Sequence, residues 1–151
     1  MYASFGTISH GTLRTVDLLE AFSSTLERLA KKSLLDCPKN AFHIPAGHLK
    51  LCGRVEEALA YQPGGEDESL VELSIELSDA LSEYAPPFSY FGTLEGDGSD
   101  FGFWFNRDEF EQARQDGELP DSELPDQVCQ ISDHGNVTIY SVTYKEIISV
   151  V

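Results

Sequence analysis

The chain has 151 residues, 41% hydrophobic and 11% aromatic, which is enough to bury a core without disulfides or a metal. Its 26 acids against 10 bases leave a formal charge of −16, which opposes direct binding to nucleic-acid phosphates or to anionic membranes. No run approaches the ~20 apolar residues of a membrane span, the first residues lack a signal-peptide layout, and three widely spaced cysteines do not form a disulfide framework. The expectation is a soluble, reduced, cytoplasmic protein folded as a single globular domain over 1–151.

The charge is unevenly spread. Residues 1–50 hold four acids and six bases, residues 51–126 twenty acids and three bases, and the last 25 residues two acids and one base. A one-sign field of this kind accelerates encounter with an opposite one, so a basic protein is the natural complement.

In chain order, "SFGTISHGTLR" reads as a lead-in loop, with His10 beside Gly11, Thr12 and Arg14 as a minor small-ligand candidate. Thr15 is placed to cap a first helix running to about Lys32, whose buried stripe is Leu18, Leu19, Phe22, Leu26 and Leu29. Glu20 near its start and Arg28, Lys31 and Lys32 near its end suit the helix dipole. "LLDCPKNAFHIPAGH" carries two prolines and reads as an irregular connection. A second helix is expected over 49–61, with "HLKLCG" as an alternative short strand and Gly53 unfavourable to both.

"QPGGEDE" breaks the chain, and the pattern predicts a third helix over 69–84. Leu70, Leu73, Leu77, Leu81 and Tyr84 fall within about 80° of one another at ~100° per residue. Glu72, Glu76, Asp79 and Glu83 fall within about 60°, on roughly the opposite side. Pro86 and Pro87 end the helix.

Residues 88–93 and 101–105 are short, aromatic and bounded by glycines, so both read as strands of an antiparallel hairpin joined by "LEGDGSD". Phe101, Phe103 and Phe105 should share one face, with Gly102 and Trp104 on the other. Asn106 followed by Glu109 makes a capping box, and Phe105 with Phe110 a hydrophobic staple, for a short helix to about Gln115. A polar, proline-marked segment leads to a second hairpin, 127–132 and 137–142, and "EIISVV" offers a terminal strand. The fold class is therefore α+β: three N-terminal helices, then an antiparallel sheet of two hairpins with one short intervening helix.

Three constellations carry residue types suited to chemistry. The loop oxygens of Glu95, Asp97, Ser99 and Asp100 suit a cation, but the alternating acids and closing Glu of an EF-hand are absent, and a tight turn explains the glycines. Cys37, His43, His48 and Cys52 are zinc-competent residue types spaced C-x5-H-x4-H-x3-C, without the close pairs of zinc knuckles. Cys129 with Asp133 and His134 would need the thiol and imidazole to meet across a strand end. No G-x-S-x-G elbow, phosphate loop or Rossmann glycine run occurs, and no cofactor is implied.

The carboxylate stripe Glu72, Glu76, Asp79 and Glu83 is the leading site. Like charges at such spacing cost about 0.2–0.5 kcal/mol per pair in an isolated helix, and no Lys or Arg lies between Arg54 and Arg107 in the sequence. Asp108, Glu109 and Glu111 of the short fourth helix are expected to widen the surface if the fold brings them to it, and aromatics such as Tyr90 or Trp104 to anchor it if one sheet face is uncovered.

In charge and size, though in no alignable motif, the chain resembles proteins that inhibit nucleic-acid-acting proteins. These include the DNA mimics of phages and mobile elements directed against restriction or CRISPR systems, and nuclease immunity proteins. The resemblance implies a non-catalytic inhibitor whose carboxylates occupy a basic partner's phosphate sites. The alternative is a small metal- or ligand-dependent enzyme using Cys37, His43, His48 and Cys52 or the Asp97 loop. A third reading is an assembly subunit that pairs through "EIISVV".

Overall fold

The computed structural model describes residues 2–36, 43–61, 68–116, 127–131 and 137–141. It is an α+β arrangement in the order β1 (Gly6–His10), α1 (Thr15–Asp36), α2 (His43–Tyr61), α3 (Glu68–Ser82), β2 (Ser89–Leu94), β3 (Asp97–Phe105), α4 (Arg107–Asp116), β4 (Gln127–Ile131) and β5 (Val137–Ser141). Three antiparallel strands form one sheet in the order β1-β3-β2, and β4-β5 form a second, two-stranded sheet. The two expected hairpins are thus present in separate sheets. The terminal "EIISVV" and the segment 62–67 lie outside the described residues.

The N-terminal loop expected around His10 is instead a strand. β1 pairs with β3 (Thr7 with Gly102, His10 with Asp100), and its register slips between Thr7 and Ser9. The bulge leaves Ile8 packed against the hydrophobic core. One apolar residue in five, displaced by a bulge, gives no period-two signal, which is why the sequence pattern misses this strand.

Helix α1 begins with Thr15 as a helical residue rather than as its cap. The Leu18 N–H donates to the Arg14 carbonyl, while the Thr12 hydroxyl accepts from the Arg14 N–H and donates to Asp17. The helix continues to Asp36, so Arg28, Lys31 and Lys32 sit inside it and its last turn carries no base. Helix α2 opens six residues before the expected start, taking in Pro45. A proline in the first turn costs little because that N–H has no intrahelical acceptor. Gly53 is absorbed because Leu51, Cys52 and Val55 are buried around it.

The core lies between the three long helices and one face of the sheet. Leu19, Leu26, Leu29, Leu70, Leu77, Leu81 and Phe103 are at most 1% exposed. Phe22 of α1 meets the edges of Phe91 and Phe101 at ring distances of 5.1 and 5.4 Å, which joins the helical layer to the sheet. Two i→i+3 bonds, from the Tyr84 N–H to Leu81 and from the Ala85 N–H to Ser82, wind down α3 before the prolines. The Ala3 N–H donates to the Tyr84 carbonyl at 2.7 Å and fixes the N-terminal segment there.

The β2–β3 connection is tighter than the expected seven-residue loop, because Leu94 pairs directly with Asp97 and Gly96 takes a positive φ of 88°. The register then jumps between Thr93, opposite Phe101, and Leu94. On the face away from the helices, Trp104 lies across Gly102 and donates its indole N–H to the Gly92 carbonyl at 3.0 Å. It is 1% exposed, so it is not available as an interface anchor. Its partner position, Gly102, has no room for a side chain, because a Cβ there would collide with the Gly6 carbonyl.

Helix α4 starts as its capping sequence requires. The Glu109 N–H donates to Asn106 Oδ1 and the Asn106 amide donates to the Glu109 carboxylate, both at 3.1 Å. Phe110 packs on Phe105 and also on Phe88, which holds a left-handed φ of 56°. The Phe88 carbonyl accepts from the Asn106 N–H at 2.7 Å, which fixes that unusual backbone.

Candidate protein interface on helix α3

Helix α3 packs into the core by its apolar side. Leu70, Leu73, Leu77, Ala80 and Leu81 are buried, and Glu68, Glu72, Glu76, Asp79 and Glu83 are exposed on the opposite side. From Glu72 to Glu83 the carboxylates extend about 16 Å, at axial steps of about 4.5–6 Å. A DNA strand carries one charge per ~3.4 Å of axis, so the stripe is a sparser line of the same sign.

Two of the four stripe residues make contacts that the linear sequence does not show. Arg54, on α2, grips Glu76 through both guanidinium nitrogens at 2.6 and 3.0 Å. That fork holds the Glu76 carboxyl below its ordinary range and raises Arg54. The expectation that no base relieves the stripe is therefore corrected: a base 22 residues earlier reaches it from the adjoining helix. Glu83 lies 3.5 Å from Nε2 of His48. Among the described residues, Glu68, Glu72 and Asp79 make no ion pair.

Beside the stripe, an open groove of about 410 Å³ separates the end of α2 from the start of α3. Arg54, Glu57, Tyr61, Glu72 and Glu76 wall it, with Ala58 and Leu73 as its apolar lining. Tyr61 at its rim is 91% exposed.

Helix α4, which carries Asp108, Glu109 and Glu111, does not pack against α3 among the described elements. Glu109 serves the helix cap, Glu111 accepts from Arg107 at 3.2 Å, and Asp108 is exposed. Tyr90 is half-buried, its hydroxyl donating to the Thr93 carbonyl, and burial pushes its phenol up.

Two of the zinc-competent residues, His48 and Cys52, have other partners. His48 is 8% exposed and shares a 3.0 Å hydrogen bond through Nδ1 with the Tyr84 hydroxyl. The buried Cys52 thiol donates to the Ser23 carbonyl at 3.5 Å, and burial raises its pKa. Cys37 lies outside the described residues, while His43 forms the first residue of α2. Among the described residues, no group of three or more His, Cys, Asp or Glu is arranged to hold a metal ion.

At the β2–β3 turn, Asp97 accepts from both the N–H and the hydroxyl of Ser99, which holds its carboxyl below the usual range. His10 approaches the same carboxylate at 3.5 Å. Asp100 is buried, its Oδ2 accepting from Thr7 and its Oδ1 without a partner among the described residues. Glu95 and Gly96 form the turn, so these acids serve a hairpin. Cys129 lies opposite Ile139 in the β4–β5 pairing, while Asp133 and His134 are outside the described residues.

Among the described residues no helix is long and apolar enough to cross a membrane. Comparison with protein-family models, curated proteins and solved structures gives no match.

Proposed function

We propose that this is a non-catalytic, acidic binding protein of the cytoplasm that inhibits a basic, nucleic-acid-processing partner through the exposed face of α3. The observation that carries the reading is the set of exposed carboxylates Glu68, Glu72 and Asp79, which make no ion pair among the described residues, on a helix whose apolar side is buried in the core. In a basic groove those carboxylates replace phosphates as partners of Arg and Lys, in the manner of the DNA mimics and immunity proteins that the composition resembles. Glu76 and Glu83 extend the stripe while keeping their own contacts to Arg54 and His48.

Glu72→Lys/Asp79→Lys is the matched test, because neither residue makes an ion pair among the described residues. The variant should keep a thermal midpoint equal to or above that of the parent, since neighbouring like charges are relieved. Affinity capture from host lysate at low salt should recover basic nucleic-acid-binding proteins with the parent and lose them with the variant. Recovery of the same proteins by both would remove α3 from the interface and refute the proposal.

A further inference from the structure

The exposed side of α3 is not uniformly acidic. Val71 and Ile75 are 45% and 56% exposed, one turn apart. At about 100° per residue they occupy one flank of the open face, Glu72 and Glu76 the other, with Glu68 and Asp79 between. The apolar flank continues through serines whose hydroxyls are turned back on the helix. Ser74 donates to the Val71 carbonyl at 2.7 Å and Ser82 to the Ser78 carbonyl at 2.9 Å. The result is a lane of small and apolar groups alongside a lane of carboxylates, over about three turns.

We infer that this two-lane face docks an amphipathic α-helix of the partner, with apolar side chains one turn apart seated on Val71 and Ile75 and Lys or Arg along one border meeting Glu68, Glu72 and Asp79. The inference rests on the proposed binding function and specifies the element bound. Charge complementarity selects a basic occupant, and the apolar lane selects a helix over an extended basic chain, because side chains at i and i+4 share one helical face. A second copy is the weaker fit. Its α1 does carry Arg28, Lys32 and an 86%-exposed Leu35, but each copy brings a net −16 to the encounter.

The test uses two labelled 18-residue peptides of one Leu/Lys composition, one patterned as an amphipathic helix and one scrambled, titrated by fluorescence anisotropy near physiological salt. The intact protein should bind the patterned peptide about tenfold more tightly or better, the scale of burying one or two aliphatic side chains. Val71→Ser/Ile75→Ser should erase that preference while leaving the scrambled peptide's affinity unchanged. Glu72→Lys/Asp79→Lys should weaken both peptides, whereas Glu20→Lys/Glu95→Lys, equal in charge change but off α3, should weaken them far less.

Equal affinity for the two peptides, or a preference that survives Val71→Ser/Ile75→Ser, overturns the helix-docking inference and leaves the acidic-surface function standing. Binding unaffected by Glu72→Lys/Asp79→Lys overturns both. Amide-shift mapping on the unmutated protein reads the same question without a substitution, and shifts centred away from α3 would count against it. A dimer of the protein alone that Val71→Ser/Ile75→Ser dissociates in sedimentation assigns the face to a second copy and likewise overturns it.

Discussion

Replacing Tyr84 by Phe isolates one buried polar contact at nearly constant volume. Tyr84 is 5% exposed, and its hydroxyl meets Nδ1 of His48 at 3.0 Å where water does not reach. The Glu83 carboxylate beside Nε2 favours the proton on that nitrogen, leaving Nδ1 to accept from Tyr84. Without the hydroxyl, a buried imidazole nitrogen loses its partner, at a cost of about 1–3 kcal/mol. At about 2–4 °C per kcal/mol for a chain of this length, the midpoint should fall by about 2–12 °C. Urea unfolding should show a lower midpoint at an unchanged slope. Tyr84→Phe combined with His48→Leu should be more stable than the summed single effects imply, since removing both partners spares the orphan. A Tyr84→Phe protein within about 0.5 kcal/mol of the parent, or a strictly additive double variant, would refute this account of the α2–α3 junction.

Other outcomes follow from the same packing. Gly102→Ala should destabilise severely or prevent folding, since the new Cβ meets the Gly6 carbonyl backbone, whereas Gly53→Ala, with open space at its Cβ inside α2, should stabilise by about 0.5–1 kcal/mol in urea melts. Arg54 lowers the Glu76 carboxyl below its ordinary 4.5, so the stability this pair gives is complete above that pH and lost as the pH falls through the lower folded value; the gap between parent and Glu76→Gln should close on acidification. Burial raises the Tyr84 phenol above its ordinary 10.0, so its contribution is complete below that pH and lost as the pH rises through the folded value, and Tyr84→Phe should flatten alkaline unfolding.

What could be read from the sequence was local. The leucine spacing of α3 and the Asn106–Glu109 capping pair each depend on residues within a few turns; the stripe appears as expected, and Asn106 caps the Glu109 N–H, although the Glu109 carboxylate meets the Asn106 side chain rather than its backbone N–H. The carboxylate face of α3 followed for the same reason. The contacts that modify it did not, because Arg54–Glu76 and His48–Tyr84 join different elements and have no spacing signature. Trp104 looked like a surface aromatic on its strand's outer face, yet the glycines at 92 and 102 make a floor into which its ring settles. Strand β1 is hidden because its partner strand lies far along the chain, with Thr7 opposite Gly102, and no local pattern encodes such a pairing.

That remote pairing orders the assembly of the sheet in time. β3 reaches β2 through a two-residue turn but reaches β1 only after nearly the whole helical layer has been laid down. On loop-closure entropy alone, the distant pairing is harder to close by roughly 3 kcal/mol. The hairpin therefore forms first, and β1 docks late and opens early, which hydrogen exchange would register as its amides losing protection before those of β2. While β1 is away, β3 presents a bare strand edge between a finished hairpin and solvent. The edge most able to recruit a foreign strand is thus one that the folded protein keeps covered by its own first strand.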